Sequence, residues 1–268
     1  ASTSSTQKPK LIYFSGRGLA EVARLIFADK AVEYIGSGII KISFSMNNAD
    51  IQTRSPNIQD DDTELNALKP TLPFGQLPVL EINGAVIAQS VAITRYLSKR
   101  TIFTVGSVLK FPHCLIKLGK NDVEQAIVDS IVDSVRDLRI AVDKEAEDDY
   151  YFVNDDPAPY LIIFLIGGQN SSPTQVVGFF RANFKENNGG QGFLVGNDVS
   201  HDQLSCSSIN AALQITFADF WIYYTFFIAL SADPDAATEF PLLNGLYQRI
   251  GTRPGIAHWV KVRPVSEF

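Results

Sequence analysis

Residues Pro73–Leu97 read P-F-G-Q-L-P-V-L-E-I-N-G-A-V-I-A-Q-S-V-A-I-T-R-Y-L. The apolar run Leu77–Ile82 is followed by Asn-Gly, the pair that best tolerates the positive φ angles of a two-residue hairpin turn. Ala85–Ala88 then predicts the return strand. Ser90, a residue type common at helix N-termini, precedes apolar residues at roughly helical spacing. The stretch therefore predicts a strand, a turn, a second strand and a helix, in that order.

The same stretch has features suited to a ligand. Pro78 stands where a strand should begin, a position at which proline either lies on a sheet edge or forms a cis turn. A cis bond would turn the backbone N–H and C=O of Leu77 outward, where an extended peptide could pair with them. Gln89 and Ser90 lie at the predicted helix N-terminus, which attracts a carboxylate. We therefore expect an anionic, peptide-like ligand.

The segments on either side of this stretch predict two kinds of structure. Lys10–Phe14 predicts a strand, Leu19–Lys30 a helix and Val32–Ile35 a second strand. With the hairpin and its helix, they give the βαβ–ββα order and mixed sheet of an α/β thioredoxin-like domain. From Asp122 onward, apolar residues keep helical spacing and little of the sequence favours strands. The C-terminal part is therefore predicted to be an all-α helical domain.

One helix of the C-terminal part carries a recognisable start. Thr216–Asp219 reads T-F-A-D, in which a threonine can cap the helix and the acid three residues later can bond back to the cap N–H. Ile215 and Phe220 are spaced to form the flanking hydrophobic staple. The segment Phe217–Leu230 is apolar on nearly all sides, which predicts a helix buried in the core.

The bulk composition limits the functional classes. The chain has 268 residues, of which 46% are hydrophobic and 19% charged, as in globular proteins of one large or two modest domains. A net charge of −6 argues against a nucleic-acid-binding protein, and no apolar run reaches the length of about 20 residues that a membrane-spanning helix needs. Cys114 and Cys206 form no C-x-x-C motif, so a reducing, cytoplasmic setting is expected. His113, His201 and His258 lack metal-ligand spacing, so no metal site is expected.

Six motifs, in one order along the chain, resemble the glutathione transferases and in particular their sigma class. They are K-L-I-Y-F-S-G-R-G-L-A-E-V-A-R at Lys10–Arg24, L-K-P-T-L-P-F-G-Q-L-P-V-L-E at Leu68–Glu81, A-Q-S-V-A-I-T-R-Y-L at Ala88–Leu97, V-E-Q-A-I-V-D-S-I-V-D at Val123–Asp133, T-F-A-D-F at Thr216–Phe220 and W-V-K-V-R-P-V at Trp259–Val265. The resemblance implies a flexible leader over 1–9 and a thioredoxin-like glutathione-binding domain over 10–100. It further implies a linker or insertion over 101–120 and an all-helical electrophile-binding domain over 121–268.

The resemblance also implies an activity. A cytoplasmic homodimer would activate its co-substrate glutathione as a thiolate and conjugate it to small hydrophobic electrophiles, a detoxification reaction. Tyr13 matches the catalytic tyrosine of the family, whose hydroxyl would donate a hydrogen bond to the sulfur and lower the pKa of the thiol. Ser15 is the alternative donor, because other transferase classes use a serine close by.

Two other activities are compatible with the same resemblance. One is a glutathione-dependent prostaglandin isomerase, and the other is a non-catalytic, ligand-binding or crystallin-like protein. The prostaglandin D synthase branch has a tryptophan over its substrate, and the corresponding region Arg139–Glu147 lacks one. Arg136 also interrupts the acidic cluster that binds a divalent ion in that branch. Both departures argue against isomerisation and metal activation.

A set of glutathione-binding residues is implied as well. They are Lys69, Gln76, Leu77, Pro78, Gln89, Ser90 and Asp137. Leu77, ahead of a cis Pro78, would pair with the cysteinyl unit, and Gln89 and Ser90 would hold the γ-glutamyl end. Lys69 would reach the glycyl carboxylate. Asp137 would reach the γ-glutamyl amine from the other subunit of a dimer.

Four segments without periodicity interrupt the family's order. They are residues 36–59, 101–118, a part of 155–177, and 200–214. Long structureless loops are uncommon inside compact domains. The segments are therefore interpreted either as surface loops or as non-coding sequence translated through a faulty gene model.

Overall fold

The computed structural model describes residues 8–39, 63–99, 116, 118–148, 188–190, 192–195, 215–232 and 234–264. Both cysteines, His113, His201 and most of the four irregular segments lie outside these residues. Two compact units are present. The first holds the described residues of Ala1–Glu21, Glu33–Ile93 and Val262–Phe268, and the second those of Val22–Val32 and Thr94–Lys261. The domain boundaries named above stay predictions.

The strands are β1 (Lys10–Phe14), β2 (Ile35–Ile39), β3 (Val79–Ile82) and β4 (Ala85–Ala88). The α-helices are α1 (Glu21–Asp29), α2 (Thr63–Leu68), α3 (Ser90–Lys99), α4 (Asp122–Asp148), α5 (Phe217–Ala232), α6 (Ala236–Glu239), α7 (Pro241–Gly251) and α8 (Pro254–Val262). Short 3₁₀ turns cover Gly18–Ala20, Lys69–Thr71, Pro73–Gly75 and Asn188–Gly190. None of the helices within the described residues combines the length and apolar character needed to cross a membrane.

The first unit is built on a four-stranded mixed sheet with the order β2-β1-β3-β4. β1 is parallel to β2 and antiparallel to β3, and β3 is antiparallel to β4. Asn83 and Gly84 turn the β3–β4 hairpin with φ angles of 51° and 77°, as the Asn-Gly pair predicts. The sheet confirms the predicted thioredoxin-like order. β3 begins at Val79 rather than Leu77, because Pro78 has no N–H to give a neighbouring strand.

The prediction of the second strand at Val32–Ile35 is wrong, because β2 begins only at Ile35. α1 ends in a Schellman motif, in which Ala31 has a φ of 51° and the Val32 N–H donates to the Phe27 carbonyl at 2.9 Å. Val32 therefore closes the helix instead of opening the strand. β2 itself reads I-G-S-G-I, and its two glycines give it a low strand propensity, so the sequence does not indicate a strand there.

The second unit has the predicted buried helix at its core. α5 runs two residues beyond the predicted end at Leu230, and its side chains Phe217, Phe220 and Phe226 are almost completely buried. The Trp221 indole N–H donates to the Thr94 hydroxyl at 3.2 Å, so the helix satisfies its polar atom inside the core.

A buried polar cluster starts α5. The Thr216 backbone N–H donates to the Asp219 carboxylate at 2.7 Å, which confirms the predicted return bond of the cap. The Thr216 hydroxyl donates to the same oxygen at 2.8 Å, and so acts as a donor rather than as the expected acceptor for the first turn. The second carboxylate oxygen accepts the Leu194 N–H at 2.8 Å. Burial raises the pKa of Asp219 to about 6, while these bonds and Arg249 act in the opposite direction.

Gly255→Ala is expected to destabilise the second unit by about 1–3 kcal/mol, the usual cost of overpacking. A Cβ on Gly255 would overlap the backbone carbonyl of Ala28, which cannot rotate away as a side chain could. Gly251→Ala is the matched control in the neighbouring helix, because there a Cβ would meet Tyr223 at an ordinary 3.7 Å. Urea unfolding measures both variants, and equal stability of the two would contradict the close approach.

Candidate active site

Tyr13 lies near the end of β1 with its ring largely buried. Its hydroxyl oxygen accepts a hydrogen bond of 3.0 Å from the backbone N–H of Leu19, in the turn between β1 and α1. Accepting this bond does not consume the hydroxyl proton, which is the part that a donor to a sulfur atom needs. The turn therefore orients Tyr13 without removing its capacity to donate.

Gly18 belongs to the same turn and fits closely against the tyrosine. Its φ is 40°, and a Cβ at this position would overlap the Tyr13 hydroxyl. Both the backbone conformation and the contact thus require glycine. Ser15, the alternative donor, is exposed in the loop that precedes the turn.

The strand register brings three predicted site residues to one end of the sheet. Ile12 pairs with Val79, and Val79 pairs with Ala88. Tyr13 follows Ile12, Pro78 precedes Val79 and Gln89 follows Ala88, so these three residues continue adjacent strands at the same end. The peptide bond between Leu77 and Pro78 is cis. The predicted catalytic residue, the predicted peptide-pairing residues and the predicted γ-glutamyl-binding residue therefore lie together.

Gln89 and Ser90 form the start of α3, but their roles differ from the expected ones. The Ile93 N–H donates to the Gln89 carbonyl at 2.9 Å, and Gln89 has a φ of 71°. Gln89 is thus the cap residue and Ser90 the first residue of the helix, where it is buried. The pair lies at the positive end of the helix dipole, which favours a carboxylate by about 0.3–1 kcal/mol near a surface.

The remaining predicted residues are distributed unevenly. The Gln89 side-chain amide donates to the Gln76 amide oxygen at 3.2 Å, so these two residues come together. Lys69 is exposed and its Nζ donates to Asn66 within the same segment at 2.9 Å. Asp137 is an exposed residue of α4, in the other unit. The roles of Lys69 and Asp137 stay predictions.

The Leu19 N–H could not be predicted from the sequence as a partner of Tyr13. A backbone donor has no side-chain signature, and the only available signal was the glycine in the turn before α1. The positive φ of Gln89 could not be predicted either, because glutamine is not a residue type that favours this conformation. Among the described residues, no group of three or more His, Cys, Asp or Glu side chains could hold a metal ion.

Comparisons with known proteins show what both parts of the chain are similar to. The chain matches the family profile "Glutathione S-transferase, N-terminal domain" over residues 39–99 and the profile "Glutathione S-transferase, C-terminal domain" over residues 211–263. It is 28% identical to probable glutathione S-transferase 8 of Caenorhabditis elegans, over 97% of this chain and 98% of the relative. It is also 28% identical to human hematopoietic prostaglandin D synthase, with the same two shares.

Solved structures share the fold along nearly the whole chain. A monomeric glutathione S-transferase of the hookworm Necator americanus superposes with a TM-score of 0.66 at 25% identity, covering 98% of this chain and 100% of that one. Rat hPGDS complexed with a quinoline gives a TM-score of 0.63 at 26% identity, with the same coverage. The predicted fold, a thioredoxin-like N-terminal domain followed by a helical C-terminal domain, is therefore confirmed. With both domain profiles matched and this fold shared, the chain has the fold of the glutathione S-transferases.

Proposed function

We propose that the protein activates glutathione as a thiolate and conjugates it to small hydrophobic electrophiles. The observation that carries the proposal is the meeting of Tyr13, Pro78 and Gln89 at one end of the sheet. A tyrosine hydroxyl aimed at a sulfur atom stabilises the thiolate and lowers the pKa of the thiol, so more of the nucleophile exists near neutral pH. The Leu19 N–H supports this role because it fixes the hydroxyl oxygen from one side.

The tripeptide would lie along the same edge. Its cysteinyl unit would pair with the Leu77 backbone, which places the sulfur toward Tyr13. Its γ-glutamyl end would meet the start of α3, where Gln89 and Gln76 supply amide donors and acceptors for an amino and a carboxylate group. Ser90 and the helix dipole would add to the attraction for the carboxylate.

A direct experiment tests this function. The protein is passed over immobilised glutathione, and the bound fraction is assayed for conjugation of glutathione to a generic aryl halide. Retention together with turnover supports the proposal. Retention without turnover would favour the non-catalytic, crystallin-like alternative, since fold alone does not imply activity.

The prostaglandin isomerase remains the second candidate. The similarity to proteins named hematopoietic prostaglandin D synthase favours it, and the absence of a tryptophan in Arg139–Glu147 argues against it. The sigma class is proposed on the motifs alone. Assaying the prostaglandin substrate of such an isomerase alongside the aryl halide separates the two activities, because only one requires a second, electrophilic substrate.

The homodimer, the cytoplasmic location and the role in detoxification are proposed from the family resemblance. A dimer would also give Asp137 its expected role at the γ-glutamyl amine of the other subunit. Light scattering measures the molar mass directly, and the mass of a single chain would contradict the dimer. The similar hookworm protein is described as monomeric, so the experiment is needed.

Gln89→Ala is expected to weaken glutathione binding about tenfold, as the loss of a hydrogen bond to a charged group does. The melting temperature should change little, because alanine has the same Cβ as glutamine at a φ of 71° and the capping carbonyl remains. Gln89→Gly is the matched control: it relieves the backbone strain and loses the same side chain. Calorimetry should find both variants equally weak in binding, with the glycine variant at least as stable. Parental affinity in either one would remove this edge as the γ-glutamyl site.

A further inference from the structure

The end of the described chain reaches the turn that orients Tyr13. Arg263, the residue after α8, donates from Nη1 to the Glu21 carboxylate at 2.8 Å. Both side chains are buried, at 10% and 1% exposure. Glu21 is the first residue of α1, and its backbone N–H donates to the carbonyl of Gly18. The ion pair therefore fixes the point at which the Gly18–Ala20 turn joins the helix.

The same turn contacts the tyrosine at two points. The Leu19 N–H bonds to the Tyr13 hydroxyl, and Gly18 lies against that hydroxyl with no room for a Cβ. A displacement of Glu21 would move both contacts, because fewer than four residues separate them from it. A misplacement of about 1 Å near a reacting group can cost a hundredfold in rate.

We propose that Arg263 and Glu21 are positioning residues for Tyr13. The pair holds the turn so that the Leu19 N–H stays on the tyrosine oxygen and the hydroxyl proton points to the glutathione sulfur. This inference rests on the proposed function. It assigns a role in thiol activation to a residue 242 positions away from Glu21 along the sequence.

The chemistry of the pair favours positioning over stability. Desolvation of two buried charges offsets most of their attraction, and apolar side chains of similar volume often stabilise a fold as well. Apolar side chains make no directional contacts, whereas a planar guanidinium holds the carboxylate that it binds at a defined distance and angle. α1 also offers an internal comparison, because Arg253 binds Asp29 at its other end with two bonds of 2.5 and 2.9 Å.

The experiment compares full-length variants by two readouts. Glu21→Leu combined with Arg263→Met removes the ion pair and keeps its volume, and Asp29→Leu combined with Arg253→Met is the matched control at the other end of α1. The thiolate of bound glutathione is titrated by its ultraviolet absorbance, and kcat and KM are measured from pH 6 to pH 9 with an aryl halide.

The first double variant should titrate its bound thiol at higher pH than the parent. Its kcat at pH 6.5 should fall about tenfold and recover as pH rises, since a thiol that ionises unaided needs no donor. KM for glutathione should change less than about twofold, because the binding edge is untouched. The Asp29 and Arg253 control should keep the parental pH profile, whatever its melting temperature. Arg263→Lys, which keeps the charge but not the planar fork, should fall between the parent and the first double variant.

Each contrary result has one meaning. If the parent binds glutathione as a thiolate and the first double variant keeps the parental pH profile, only the positioning role is overturned. Equal changes of the profile in both double variants overturn it too, because the effect would then be general destabilisation. If the first double variant does not fold, Arg263→Lys decides, and a parental profile in it overturns the proposal. A parent that binds no glutathione overturns the proposed function and this inference together.

Discussion

Asp219→Ala is expected to lower the free energy of unfolding by about 3–5 kcal/mol. The carboxylate accepts the Leu194 N–H, the Thr216 N–H and the Thr216 hydroxyl, all buried within the second unit. Alanine would leave these donors without their acceptor, and each buried unsatisfied group costs about 1–3 kcal/mol. Arg249, which is attracted to Asp219, would lose its counter-charge too. Urea denaturation of the parent and the variant measures the difference.

Thr216→Val is the matched control for this prediction. It removes only the hydroxyl donor and leaves both backbone N–H groups bonded to Asp219. Its cost should stay near about 1 kcal/mol, the net worth of one ordinary hydrogen bond. An Asp219→Ala variant no less stable than Thr216→Val would contradict the role of the carboxylate as the hub of the cluster.

The pH dependence of this site has a definite sign. Because burial raises the pKa of Asp219 from 3.8 to about 6, the folded chain binds the proton more tightly than the unfolded chain does. The stability from this proton is complete below about pH 4 and is lost as pH rises through about 6. Asp219→Asn does not titrate, so the stability advantage of the parent over this variant should shrink between pH 4 and pH 7. Paired thermal melts test this, and an advantage that grows with pH would show that the charged form is the favoured one.

Local signals account for the parts of the fold that the sequence predicted. The Asn83-Gly84 turn and the Thr216–Asp219 cap depend on neighbouring residues only, so their residue types identify them directly. The bounds of β2 escaped prediction, because its two glycines lower its strand propensity and because Val32 closes α1 instead. Its strand character comes from pairing with β1, a tertiary contact that no local pattern contains.

The candidate site divides in the same way. Tyr13 and Gln89 were predictable as the ends of predicted strands, and the pairing of β1, β3 and β4 brings these ends together. The Leu19 N–H was not predictable, since it reaches Tyr13 through the geometry of a turn. The burial of the Glu21–Arg263 pair was not predictable either, because charged residues are normally exposed.

Tyr13→Phe is expected to lower kcat at pH 6.5 about a hundredfold, because it removes the hydrogen-bond donor that stabilises the glutathione thiolate. Phenylalanine keeps the ring and its edge-on contact with Phe14, whose centroid lies 5.2 Å away, so glutathione should still bind with a similar KM. The Leu19 N–H loses its acceptor, which costs about 1 kcal/mol of stability and not the fold. Steady-state kinetics with an aryl halide, measured beside thermal melts, separates these effects.

The pH profile and Ser15→Ala together identify the group that activates the thiol. Without the tyrosine hydroxyl the bound thiol should ionise at higher pH, so the defect of Tyr13→Phe should shrink as pH rises toward the pKa of free thiols near 8.5. Ser15 is exposed and lies outside the pairing that brings Tyr13, Pro78 and Gln89 together, so Ser15→Ala should keep the parental rate at every pH. The reverse pattern, a fully active Tyr13→Phe and a Ser15→Ala that fails at pH 6.5, would move the catalytic role to the serine. The Gly18–Ala20 turn would then have a structural role only. Its hydrogen bond would orient a tyrosine hydroxyl that the reaction does not use.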